Sequence, residues 1–287
     1  MADKQAANTK NSDAVHAVTS NQDDLYKHLD ETVRKYIATR FLRPIADHTR
    51  EAFEQAKQFV SSFPTIAPKT ETVPSSSNVI SVPSNVIPAS EPGSPLKVIL
   101  DSGCGAGEST LHLAKRFPGI PVIGIDKSAM RLTKAGNIHQ QEAAGTDQPS
   151  NAFWVRAELL DFWRLALEEV QAGRWNIVHH AVFYPNPWPK ESEAGRRFHL
   201  HPIFPTLMAL SAVTELRTNW EIYAREFAAA ARIVCDSAAQ NRSEKSEHPE
   251  QSAVITCETF DPTIPETAFE RKYKEARQQL WRVLVQQ

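Results

Sequence analysis

From about residue 96 onward, short apolar runs alternate with stretches of helical period, and this alternation limits the possible folds more than any other feature. "KVILDSG" is an apolar run that ends in glycine, the signal of a buried strand. "STLHLAKRF" opens on Ser109 and Thr110, which suit a helix start, and stops at Pro118-Gly119. "PVIGID" then reads as a strand, "SAMRLTKAGNI" as a helix, and "AFWVRAE" as a third strand. "DFWRLALEEVQAG" is a helix closing on Gly173, and "WNIVHHAVF" is a fourth strand. "AVTELRT" is a fifth, followed by the helix "WEIYAREFAAAAR". Strands and helices taking turns at this spacing predict an α/β fold, a doubly wound, mainly parallel sheet. Ligands of such sheets sit outside the carboxyl ends of the strands.

The flanks read differently. Residues 1–22 are polar and aperiodic, the pattern of a disordered tail. Residues 23–63 predict N-terminal helices, with Leu25, Leu29 and Val33 on one stripe. Ile45, Phe53 and Phe59 form the next, after a Pro44 suited to a first helical turn. Residues 64–95 are a Ser/Pro-rich insert or linker that repeats "SNVI". The main domain is expected over 96–287, with an exposed polar loop at 236–252. Arg271, Lys272, Lys274 and Arg277 are expected on a packed helix shared with Trp281 and Leu284.

The formal net charge is −2, so any site for a polyanion must be a local patch. The three cysteines, Cys104, Cys235 and Cys257, lack metal-ligand spacing, and an odd number makes a poor disulfide framework. They read as reduced thiols in a cytoplasmic protein. No apolar core marks the N-terminus as a secretory signal, and no apolar run is long enough for a membrane span.

"LDSGCGAGEST" places Gly103, Gly105 and Gly107 between a strand and a helix. The spacing is not the dinucleotide fingerprint, and the lysine of a phosphate-gripping loop is absent. Asp101 precedes the glycines, where a carboxylate repels phosphate and attracts an ammonium or sulfonium group. The second strand ends in Asp126, at the usual distance for an acid that accepts ribose hydroxyls. The third ends in Glu158, where a side chain can reach an adenine amino group. This ordered set predicts an S-adenosylmethionine site and no metal. Cys104 lacks an activating base in sequence and reads as a small loop residue. His179 and His180, adjacent in an apolar strand, are expected to point to opposite faces of the sheet.

"YPNPWPK" follows the fourth strand, and prolines that dense fit only a stiff loop. "VILDSGCGAGES" and "VIGID" resemble the cofactor motifs of class I S-adenosylmethionine methyltransferases. "YPNPWPK…RRFHLHPIF", "LRTNWEIYAREF" and "TAFERKYKEARQQLWRV" are similar, in order, to three motifs of the bacterial tRNA guanine-N7 methyltransferases. The resemblance covers the chain from about Val98 and implies cofactor contacts at Asp101, Asp126, Glu158 and Asn186. It implies substrate contacts at Lys190, Asn219, Thr267 and Glu270, with tRNA as the partner. The family has Asp where this chain has Asn186 and Asn219, and "ESEAG" stands here in place of a basic run.

Guanine N7 carries a lone pair and no proton, so its methylation needs positioning and no general base. Asn186 is therefore expected to orient the base or the cofactor amine, without acting as an acid or base. Lys190, Arg196, Arg197, His199 and His201 are candidates either for RNA phosphate contacts or for a solvated charged loop. Two alternatives share the fold. One methylates another nucleic-acid base or a small molecule, and the other is a catalytically impaired protein that binds cofactor or RNA.

Overall fold

The computed structural model describes residues 17–63, 94–135, 149–243 and 252–287. Most of the 64–95 insert and residues 1–16 of the expected tail lie outside the described residues. Seven strands form one sheet in the order β3-β2-β1-β4-β5-β7-β6. They are β1 (Leu96–Ser102), β2 (Val122–Asp126), β3 (Ala152–Arg156), β4 (Trp175–Phe183), β5 (Val213–Thr218), β6 (Val254–Phe260) and β7 (Leu280–Gln286). β1 to β5 pair in parallel, and β7 runs antiparallel to both β5 and β6. Every residue of β2 is buried, as a central parallel strand requires.

The helices are α1 (Leu29–Ile37), α2 (Asp47–Ser62), α3 (Glu108–Arg116), α4 (described over 129–135), α5 (Leu159–Gln171), α6 (Phe204–Ala209), α7 (Glu221–Ser243) and α8 (Ala268–Glu275). α2 buries Ala52, Phe53, Ala56 and Val60, a stripe at helical spacing. Phe53 meets Phe162 edge-on at 5.0 Å and lies 5.3 Å from Trp175, so the N-terminal helices share one core with the sheet. The opposite face, under α3, holds Ile99, Leu113, Val122 and Ala181. α5 ends before Gly173, whose φ of +67° reverses the chain.

Five expectations change. Leu25 precedes α1, and Pro44 lies outside α2, whose cap is Ala46. α7 continues through Ser243 into the stretch expected as loop, because "DSAAQNRS" contains no glycine or proline to stop it. The C-terminal helix ends at Glu275, and Arg277 turns the chain with φ +52°. Trp281 and Leu284 therefore stand on β7, whose Val283 and Val285 favour a strand. β6, like β7, is a strand the sequence did not predict; it is paired only along one edge and mostly exposed, so its apolar signal is weak. Finally, residues 17–22 are placed, with Ser20, Asn21 and Gln22 hydrogen-bonded to the body of the protein.

Candidate functional site

The sheet's order reverses between β1 and β4, which are paired through Ser102 and Val182. The glycine loop after β1 and the proline loop after β4 therefore leave adjacent strand ends, at the topological switch point. Along this edge the strand ends carry in turn Glu158, Asp126, the glycine loop, Asn186 with Lys190, and Asn219.

All three loop glycines have positive φ: +81° at Gly103, +58° at Gly105 and +81° at Gly107. A Cβ on Gly107 would lie 2.4 Å from the Trp154 indole nitrogen, so the indole covers the start of α3. A Cβ on Gly105 would meet nothing within 4 Å, which leaves space in front of the loop. Asp101 is buried and holds the loop from behind. Its Oδ2 accepts from the Ser109 hydroxyl at 2.6 Å and the Thr110 hydroxyl at 2.7 Å. Burial pushes its carboxyl up to about 6, against the pull of those two hydroxyls. Burial, with Asp101 and Asp126 nearby, raises the Cys104 thiol, which stays protonated.

Asp126 ties the second strand to the loop. Its Oδ2 accepts from the Gly105 amide at 3.1 Å and Arg131 Nη1 at 3.2 Å, and its Oδ1 accepts from the Ser128 amide at 2.7 Å. One acceptor position on Oδ1 is left. Arg131 is exposed, so its place can be taken by another donor. Glu158 is half-buried at the cap of α5, beside the Ala157 amide that donates to the Asp126 carbonyl at 3.2 Å.

The proline loop is fixed from inside. Tyr184 and Trp188 adopt φ of +50° and +44°, so the chain turns twice. Asn186 is exposed, and its Oδ1 accepts from the Trp188 amide at 3.3 Å. Lys190 and Arg196 are exposed, and the Arg196 guanidinium lies 4.5 Å from the Trp188 ring centroid. Arg197 and His199 are fully buried, so they are neither phosphate ligands nor parts of a solvated loop. Arg197 donates to the Trp188 carbonyl through Nε at 3.2 Å and Nη2 at 3.0 Å, and to Glu226 through Nη1 at 2.7 Å. His199 Nε2 lies 2.8 Å from the same Glu226 oxygen. Burial alone would raise the Glu226 carboxyl; His199 and Arg197 outweigh it and bring it down to about 2. Burial lowers His199 despite Glu226, which favours a neutral ring.

The C-terminal segment closes the edge. Thr267 caps α8 by accepting from the Glu270 amide at 3.0 Å. Glu270 is buried, accepting from Arg217 Nη1 at 2.8 Å and the Glu266 amide at 2.7 Å. Arg217 in turn bonds Glu215 at 2.7 Å. α8 reaches the glycine loop through the Arg271–Glu108 ion pair. It reaches the proline loop through Tyr273, 5.6 Å from Tyr184. Asn219 Nδ2 donates to Gln278 Oε1 at 3.2 Å. His179 and His180 do face opposite ways, toward Glu215 and toward Ser102. Burial, then His179, lowers His180 to about 3. Among the described residues no His, Cys, Asp and Glu group could hold a metal ion, and no helix is long and apolar enough to cross a membrane. Trp154, Arg131 and the Arg217 cluster have no place in the sequence reading, because each matters through contacts between distant segments.

A mainly parallel sheet with a three-glycine loop bonded to the acid ending the next strand defines a Rossmann-like methyltransferase fold. The family described as "Putative methyltransferase" matches residues 96–283. The chain belongs to that family. It is 34% identical over 101 residues to a tRNA (guanine-N(7)-)-methyltransferase of Mycobacterium avium, 35% of each chain. It is 46% identical over 56 residues to a trans-aconitate 2-methyltransferase of Deinococcus radiodurans, 20% of this chain and 22% of that one. The chain thus spans about a third or less of these relatives' length. A solved antibiotic-related methyltransferase covers 88% of this chain and 98% of its own, with 12% identity and a TM-score of 0.47.

Proposed function

We propose that the protein transfers a methyl group from S-adenosylmethionine to N7 of guanine in tRNA, in the cytoplasm. The observation that carries this reading is the pairing of the open glycine loop with the stiff proline loop at neighbouring strand ends. The residues fit the donor. Gly105 leaves room for it, and Asp126 has one free acceptor position for a ribose hydroxyl and a second that Arg131 can vacate. Glu158 stands just past the end of β3, at the cap of α5, on the side proposed for the adenine. When bound, the donor supplies a methyl on a sulfonium sulfur that leaves as a neutral thioether.

The groups around the β4 end are poor bases: His180 is lowered to about 3, while burial and Glu270 keep the Tyr184 hydroxyl protonated. Guanine N7 offers a lone pair and asks for no base, so alignment supplies most of the rate. Asn186 and Lys190 on the proline loop, with Asn219 beyond it, are the proposed acceptor side; Thr267 and Glu270, expected there as substrate contacts, are buried and bonded within the α8 cap and to Arg217, and serve to hold that side in place. Exposed Lys190 and Arg156, with Arg131, Arg196 and Arg271 in surface ion pairs that a phosphate can displace, are the proposed phosphate contacts along this edge.

A second reading keeps the donor and changes the acceptor to a small carboxylate. The Deinococcus radiodurans match supports it, since a carboxylate oxygen also needs no base. Transfer of labelled methyl to bulk tRNA, followed by nucleoside analysis, separates them. Label in 7-methylguanosine is the expected result. Label in another nucleoside, or only in a small carboxylic acid, would overturn the tRNA guanine assignment; donor binding without any transfer would mean an impaired protein.

A further inference from the structure

We infer that the N-terminal segment around Ser20, Asn21 and Gln22 is a clamp that positions the proline loop for the acceptor. The inference rests on the proposed function for its catalytic consequence, though not for its structural part. The Ser20 hydroxyl donates to the Pro189 carbonyl at 2.6 Å, across 169 positions of sequence. Asn21 Oδ1 accepts from the Glu191 amide at 3.0 Å. Lys190 lies between these two anchors, so the segment grips the backbone on both sides of it and leaves its side chain exposed.

Gln22 continues the grip beneath the loop. Its Oε1 accepts from Arg197 Nη1 at 3.0 Å, and its Nε2 donates to Glu226 Oε1 at 2.6 Å. The Tyr26 amide donates to that same oxygen at 2.7 Å. Arg197 in turn holds the Trp188 carbonyl. Three consecutive loop residues, Trp188, Pro189 and Lys190, together with the Glu191 amide, are therefore bracketed by the N-terminal segment and by Arg197. Asn186 is tied to this bracket by its bond to the Trp188 amide.

Prolines restrict the loop's own φ angles, yet they do not fix where the loop stands relative to β1. The clamp does, through bonds to loop backbone groups. A loop released from it must be ordered again at each encounter with the acceptor, which weakens acceptor binding and alignment and leaves the donor side untouched. Ser20, Asn21 and Gln22 are thus positioning residues. Ser20 and Asn21 bond the backbone on either side of Lys190, Gln22 acts through Arg197, and none of the three bonds a group placed around the donor.

The test uses the full chain with Ser20 and Asn21 both changed to Ala. Asn21 is exposed and Ser20 half-buried, so the fold should persist. Hydrogen exchange read by mass spectrometry over residues 184–192 is expected to rise. In methyl transfer to tRNA, the acceptor KM is expected to rise about fivefold, with the donor Kd unchanged within about twofold. Arg197→Lys, which loses the two-pronged hold on Trp188, is expected to raise exchange in the same peptide. Unchanged exchange in both variants would overturn the clamp. Faster exchange with unchanged acceptor KM and kcat would overturn its positioning role. If the unaltered protein methylates no tRNA, the proposed function fails, while the exchange result still decides the clamp.

Discussion

At the scale of single residues, Asn186 is the position where the proposed reaction predicts the largest effect on rate. Its carbonyl oxygen braces the Trp188 amide, a bond that a carboxylate can make equally well. What the amide lacks, for the proposed reaction, is negative charge beside a purine that would become cationic on methylation at N7. A preorganised group of this kind is typically worth on the order of 10²–10³ in rate. Asn186→Asp is therefore expected to raise kcat by roughly tenfold or more, with little change in donor Kd. Unchanged turnover on tRNA would remove electrostatics from the account and leave Asn186 as an orienting group alone. Asp101, Asp126 and the three glycines were legible in the sequence because their order along strand, loop and helix is itself the signal. Arg197 was not: its position beside Arg196 reads as surface charge, and only Glu226, on α7, reveals it as a buried cation.

At the scale of elements, the glycine loop works through two different uses of glycine. Gly107 lacks space as well as having positive φ, since the Trp154 indole fills the position of a Cβ. Gly105 has open space before it, on the side proposed for the donor. Gly107→Ala should thus cost stability, on the order of 1–3 kcal/mol, and lower Tm. Gly105→Ala meets no neighbour and carries only the strain of its positive φ, about 1 kcal/mol, so it should cost less stability and in addition weaken donor binding, because its new methyl group enters the open space. Thermal melts and donor titrations of the two variants check this; equal losses of Tm would contradict it. The first five strands were visible as apolar runs because parallel strands are buried on both faces. β6 and β7 were missed for the opposite reason. β6 is an exposed edge, and the helix pattern of α8 runs on in sequence until Arg277 breaks it with a positive φ.

For the whole molecule, two buried acids set opposite pH trends. Asp101 is raised to about 6 in the fold from an ordinary 3.8, so its contribution is full below pH 3.8 and is lost as pH rises through 6. Glu226 is lowered to about 2 from 4.5, so its contribution is present above pH 4.5 and is lost as pH falls through 2. Asp101→Asn, which can still accept from Ser109 and Thr110, should flatten the fall in Tm between about pH 4 and 6. Glu226→Gln leaves Arg197 buried without its counter-charge and should cost on the order of 3–5 kcal/mol at neutral pH. Tm measured against pH for both variants checks the pair; an unchanged Asp101→Asn profile would show that this carboxyl is not raised. These groups, with the N-terminal segment, join distant parts of the chain into one frame behind the two loops. The claim on which the frame's purpose depends is that the glycine loop, Asp126 and Glu158 hold a methyl donor. Isothermal calorimetry with S-adenosylmethionine and with S-adenosylhomocysteine tests it most directly. Saturable heat at one site per chain, abolished by Asp126→Ala in a variant that still melts cooperatively, is the predicted result; no heat from either compound with the unaltered protein would contradict it.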